Sequence, residues 1–264
     1  MQLSTDKMRA AKADGIGWIT FNNPDRRNAI SVEMRTALIE ILENFSKDDE
    51  VRVVVMNGTG DKAFVSGADI SQFEARSNSE EIKLEHARIS ERSHRALVGL
   101  EKPLVAMIHG YCLGAGMSTA LAADFRIASD DAQFGIPAAR LGLAYPLHSI
   151  KALVDVVGPV HAKEMLMTAR RYTAAEAHDI GFLSRVVARA ELEQTVREFA
   201  ATMIDNAPLT LKASKVAIAE LLKDESARDT ARYSALAAAC AASEDHAEGR
   251  RAFMEKRKPR FSGR

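Results

Sequence analysis

Val105–Ala123 reads VAMIHGYCLGAGMSTALAA, about as long as the roughly 20 residues a membrane-spanning helix needs. Gly110, Gly114, Gly116 and His109 interrupt the stretch, and Pro103 stands just before it. A buried strand over Leu104–Ile108, a tight glycine turn and a buried helix account for it better than a membrane span. A strand that passes through glycines into a helix signals an α/β protein. It also puts Gly114-Ala115-Gly116 at a helix start, where unpaired N–H groups and the helix dipole favour negative charge. A phosphate or a developing oxyanion suits that position. The rival is a dinucleotide fingerprint, but GAGMST lacks the third glycine, and no acidic residue ends a following strand about 20 residues on.

Outward from this stretch, strand and helix signals alternate. Ile16–Phe21 (IGWITF) is a short β-type run closed by the turn cluster Asn22-Asn23-Pro24-Asp25. Ser31 reads as an N-cap, and Met34, Leu38, Ile41, Leu42 and Phe45 recur at helical spacing behind it. Val51–Met56 (VRVVVM) is apolar apart from Arg52, as in a strand covered on both faces. A polar helix is expected from about Ser79 to Leu100, with Ile82, Ile89, Ala96 and Leu100 on one stripe. Phe125–Ala128 and the region of Phe134 read as further strands. Thr173-Ala174-Ala175-Glu176 is a capping box. After Ser149, helical patterns dominate apart from Val186-Val187. The expected organisation is an α/β core over 1–190 and a helical C-terminal part over 191–264.

The 264 residues suffice for one large α/β domain, and 47% hydrophobic with 27% charged residues is ordinary globular composition. Lysine plus arginine and aspartate plus glutamate number 36 each. The resulting zero net charge offers no large field for nucleic acid or an anionic membrane. Only the basic stripe Arg250–Arg260 argues for RNA. Cys112 and Cys240 form no disulfide framework or CxxC pair, which suits a reducing cytosol. The N-terminal MQLSTDKMRAAKADG has no apolar core for a signal peptide and nothing that sets it apart from an unstructured leader.

One more segment stands out: Ala63–Ile70, AFVSGADI, where a glycine among small residues lets a ligand approach the backbone. Together AFVSGADI, HGYCLGAGMS (109–118), AADFRIASDDAQFGIP (122–137), the opening NNPDRRNAIS (22–31) and the ending EGRRAFMEKRKPRF (248–261) resemble the enoyl-CoA hydratase/isomerase (crotonase) superfamily. The resemblance runs in order from about Ile16 to Phe261. It implies a spiral of ββα repeats with a helical trimerisation region, assembled as a homotrimer or a dimer of trimers. It also implies an acyl-CoA thioester substrate, with no cofactor beyond that coenzyme A moiety and no metal. Its carbonyl oxygen would sit between the backbone N–H groups of Ala68 and Ala115. Such donors are worth roughly 2.7–4 kcal/mol each where they face the charge that forms in an enolate. The family more often has glycine at position 115; alanine keeps the N–H. By the same resemblance Arg26, Arg27 and Ala29 would meet the adenine and pantetheine end. Ser66, Gly67, Asp69 and Ile70 would line the thioester beside Gly114, and Phe253 and Lys256 would approach the nucleotide.

The pattern breaks at two positions. A hydratase of this family works with two glutamates, and here Ser118 and Ala138 stand in their places. Neither residue can serve as a carboxylate base for water. Asp124 lies across a helix and reads as structural. Substitutes lie downstream: Tyr145 stands where decarboxylase members carry a tyrosine, although their histidine at position 68 is missing here. His148 is a candidate acid or base. Ser118 has no evident base and reads as a water- or anion-holding group rather than a nucleophile. His109 and Cys112 read as packing. The expectations are thus an enolate-forming acyl-CoA enzyme by hydratase/isomerase likeness, a decarboxylase using Tyr145, or a non-catalytic acyl-CoA-binding paralogue.

Overall fold

The structure, a computed structural model, describes residues 3–69 and 79–264 of the chain. Its main sheet has six strands in the order β1 (Met8–Ala13), β2 (Ile16–Phe21), β3 (Val53–Gly58), β5 (Leu104–Ile108), β7 (Phe125–Ser129) and β10 (Arg185–Val187). Every pairing in this sheet is parallel except β1 with β2. A smaller sheet runs β4 (Ala63–Val65), β6 (Tyr111–Leu113), β8 (Gln133–Gly135) and β9 (Tyr172–Thr173).

Both faces of the sheet's central strands are covered, so β2, β3, β5 and β7 are mostly apolar on both sides, while the edge strand β1 is largely exposed. Ile19, Phe21, Val54, Met56, Leu104, Ala106 and Ile108 join one core with Met34, Leu38 and Ile41 of helix α1 (Val32–Lys47). Ile16, Trp18, Val53, Val55, Val105 and Met107 join another, closed by Leu192, Val196, Ala200 and Met203 of helix α6 (Leu192–Ile204). The helix just past residue 190 therefore forms one of the layers on the sheet. The Ser31 cap and the Thr173 capping box form as their sequences predict. The remaining helices are α2 (Glu80–Val98), α3 (Ala115–Leu121), α4 (Leu147–Thr168), α5 (Ala174–Asp179), α7 (Pro208–Leu221), α8 (Thr230–Ala242) and α9 (Glu244–Met254).

Two expectations are corrected, the N-terminal leader and the buried stripe of α2, and the reading of Val105–Ala123 as strand, turn and helix is met. The N-terminal stretch that read as a leader forms β1. Asp14 and Gly15 join it to β2 with φ of 55° and 78°, the left-handed pair that a two-residue hairpin requires. Val105–Ala123 divides among β5, β6 and α3, and no helix among the described residues is long and apolar enough to cross a membrane. Of the expected stripe Ile82, Ile89, Ala96 and Leu100, only Leu100, just past the end of helix α2, is buried, and Ile89 and Ala96 are half-buried. Ile82 is 41% exposed, whereas Ser93 and Leu97 are the buried residues of the helix.

Asn28 ties the loop after β2 to the segment that leads into β4. It is fully buried at φ 57°; its Nδ2 donates to Ala63 O (2.7 Å) and Thr59 O (2.9 Å), and its Oδ1 accepts from Asn23 N (2.9 Å). Asn28→Ala strands these partners without water. We expect a loss of about 2 kcal/mol in urea unfolding; a wild-type midpoint would show the bonds to be dispensable.

Candidate active site

Two glycine turns meet at the start of α3. Gly114 leaves β6 with φ 51° and ψ −110°, and Gly67 follows β4 with φ 138°. A Cβ added to Gly114 would lie 3.9 Å from Gly67 Cα, so the turns face each other at contact distance. Gly116 closes the junction: a Cβ there would fall 2.1 Å from Val65 O.

Among the described residues, the hydrogen-bond pattern leaves two N–H groups over at this junction. Ile30 bridges Ala68 in parallel fashion, with Ile30 N donating to Gly67 O (2.8 Å) and Asp69 N to Ile30 O (3.0 Å). A parallel bridge of this kind uses the residues that flank Ala68 and leaves its own N–H unused. At the other turn, Gly114 N donates to Gly135 O (2.9 Å) and Ser118 N to Gly114 O (3.2 Å), while the N–H of Ala115, first in its helix, has no backbone acceptor among the described residues. Both alanines are half-buried and line a cavity of about 540 Å³.

The same cavity is lined by Ser118, Ala138, Tyr145 and His148, and by Ser66, Gly67 and Gly114. It contains no aspartate or glutamate among its described lining residues. Ser118 Oγ shares a hydrogen bond with Ser149 Oγ of α4. Tyr145 donates its hydroxyl proton to Gly114 O (2.9 Å), and burial pushes that phenol well above its ordinary range. His148 stacks on His94 of α2, with ring centroids 4.0 Å apart and planes 32° apart.

Among the lining residues that sequence reasoning missed are two with ionisable side chains, His94 and Arg35. Burial, then the neighbouring His148, draws His94 down from its ordinary 6.5 to about 4. Between those values the folded chain binds fewer protons at His94 than the unfolded chain does. This group therefore removes stability as pH falls through that window. We expect the melting temperature of His94→Gln to fall less than that of the wild type between pH 7 and pH 4.5; parallel profiles would exclude the effect.

The remaining candidates divide by position. Ser66 N donates to Arg27 O (3.1 Å) and Ser66 Oγ to Arg26 O (3.4 Å), so Arg26 and Arg27 adjoin the cavity segment, while neither they nor Ala29 line the cavity itself. Arg27 also lies over the ring of Tyr111, 5.4 Å from its centroid. Ile70 lies outside the described residues. Phe253 and Lys256 do not line the cavity; Phe253, 82% exposed, lines a separate depression with Leu209, Cys240 and Phe261. Asp124 is structural, its Oδ2 accepting from Leu104 N (2.7 Å) and Lys215 Nζ (2.8 Å). His109 and Cys112 are buried packing groups. Among the described residues no group of three or more His, Cys, Asp or Glu side chains is placed to hold a metal ion.

Comparison with known proteins bears on this geometry. The family model described as enoyl-CoA hydratase/isomerase matches residues 11–264. The chain is 34% identical to a short-chain-enoyl-CoA hydratase of Clostridium acetobutylicum over 247 residues, 94% of each chain. It is 33% identical to the carnitinyl-CoA dehydratase of Escherichia coli K12 over 251 residues, 93% of this chain and 94% of the other. The crystal structure of an enoyl-CoA hydratase from Bacillus anthracis superposes with a TM-score of 0.92 at 28% identity, covering 98% of this chain and 100% of that one.

Proposed function

The chain belongs to the enoyl-CoA hydratase/isomerase family, and on that premise we propose that it holds an acyl-CoA thioester with the carbonyl oxygen between the N–H groups of Ala68 and Ala115. The observation that carries this reading is the pair of unused backbone donors lining one cavity. Donors fixed in place before reaction stabilise the oxygen more as it gains charge, which lowers the barrier to an enolate. Arg26, Arg27 and Ala29 would receive the nucleotide and pantetheine arm, beside Ser66 and Asp69. The coenzyme A moiety of the substrate is the only cofactor this chemistry calls on.

Proton traffic in such a site has to run without glutamates. Ser118 and Ala138 both line the cavity, so the carboxylates of a two-glutamate hydration are absent where they would act. His148, stacked on His94 at the cavity wall, is our candidate for that role. Tyr145 is a poorer acid than its place in sequence suggests, since burial favours its neutral form and Gly114 O holds its proton. Isomerisation or another enolate-forming reaction thus fits the lining better than hydration. We further read the assembly as a homotrimer or a dimer of trimers in the cytosol. Helix α8 buries none of its residues within the chain, and Ile218, Leu221 and Phe253 are exposed.

The test is incubation with crotonyl-CoA, a 3-enoyl-CoA and methylmalonyl-CoA, with products followed by mass. Conversion of at least one, lost in Ala115→Pro, supports the enzyme. Tight binding of all three without product would replace it with a non-catalytic acyl-CoA-binding protein.

A further inference from the structure

Arg35 is the one formally charged side chain among the described residues that line the cavity, His94 and His148 aside. It sits on α1, between the core residues Met34 and Ala37, and is half-buried. Among the described residues its guanidinium makes no hydrogen bond and no ion pair. The Tyr145 hydroxyl lines the same cavity but is neutral, so it supplies no counter-charge. The acid nearest to it in sequence, Glu33, is engaged by Lys7 at 2.7 Å.

Three other arginines of this chain are partnered. Arg126, also buried, donates to Phe182 O (2.6 Å), Ala123 O (2.7 Å) and Ala120 O. Arg170 bridges Glu164 and Glu176, and Arg257 pairs with Glu248. A guanidinium drawn from water carries a desolvation cost, which a carboxylate or a set of carbonyls normally offsets. At Arg35 neither is present, and the surrounding lining offers hydroxyls: Ser90, Ser93, Ser118 and Tyr145. A cavity with a fixed cation, hydroxyl groups and no acid suits a bound anion. The planar fork of arginine matches a carboxylate in two-point fashion.

We propose that Arg35 forms a carboxylate subsite and that the acyl group this protein takes carries a carboxylate of its own, as in the monothioester of a dicarboxylic acid. This rests on the acyl-CoA reading of the same cavity. The thioester end would lie at Ala68 and Ala115 and the acyl carboxylate at Arg35. A lining cation of this kind would also explain how the site does without acidic side chains, since a glutamate at position 118 or 138 would compete for Arg35.

Matched ligands test it. Calorimetric affinities are measured for crotonyl-CoA against glutaconyl-CoA and for propionyl-CoA against methylmalonyl-CoA, pairs that differ by one carboxylate. In the wild type the carboxylated member of at least one pair should bind about tenfold to a hundredfold more tightly. In Arg35→Met that ratio should fall to about unity, and Arg35→Lys should restore part of it as a point charge without the fork. A wild-type ratio near unity in both pairs overturns the proposal whatever the variants do. So does an Arg35→Met protein that weakens both members equally and keeps the ratio, because the residue then only supports the fold. Binding of neither member in either pair would overturn the acyl-CoA reading itself; equal binding of both overturns the subsite alone.

Discussion

Ala115→Pro should reduce turnover about 10²- to 10³-fold while leaving the melting temperature within a few degrees of wild type. Proline has no N–H, so the substitution removes one of the two donors outright. The position nonetheless accepts it, because Ala115 is the first residue of α3 and makes no helical hydrogen bond through its nitrogen. The first turn of a helix tolerates proline for that reason. Gly114 before it is free of the Cβ that restricts most residues preceding proline. The informative measurement is therefore a pair, kcat and thermal unfolding on the same preparation. Wild-type turnover would remove the Ala115 amide from the mechanism, and a collapse of the fold would call for a milder probe such as an ester at that bond.

Gly116→Ala should do the opposite, damaging structure and activity together. The added Cβ would fall 2.1 Å from Val65 O, a backbone atom that cannot rotate away. Either α3 or the Val65–Asp69 segment must retreat, and each carries one donor. Overpacking of this kind costs about 3 kcal/mol. A displacement of about 1 Å between the donors is enough to lower turnover roughly 10²-fold. Urea unfolding and steady-state rates would both have to change; a variant that loses stability but keeps its rate would show that the donors need not be held in register.

Much of the site is legible in the amino-acid sequence, because it rests on short glycine-marked segments. Gly67 and Gly114 mark the two turns, and small residues mark the close approach of AFVSGADI to HGYCLGAGMS. Strands β2, β3, β5 and β7 follow from apolar runs, since a sheet covered on both faces leaves no alternation to misread. Helix α2 shows where periodicity misleads. Its inward face carries Ser90, Ser93, His94 and Leu97 because it borders a cavity, so apolar spacing selects the wrong stripe. His94 escapes notice for that reason. Arg35 is hidden differently: a cation within an amphipathic helix looks solvent-exposed until tertiary packing shows what surrounds it. The hairpin to β1 is written in Asp14-Gly15. The strand itself, MRAAKA, exposes Arg9 and Lys12 and otherwise offers alanine after Met8, a composition with little β-propensity.

The bridge from Ile30 around Ala68 has a consequence for how such a protein can change over generations. The donor at that position is a by-product of which neighbours are bonded, so any residue with a backbone N–H that fits the loop inherits it. Side chains around the cavity can thus be exchanged one at a time without removing the backbone N–H at position 68. Positions 118 and 138 illustrate the separation: they hold serine and alanine where the hydratase resemblance implies glutamates, and the two glycine turns beside Ala68 and Ala115 are nonetheless formed.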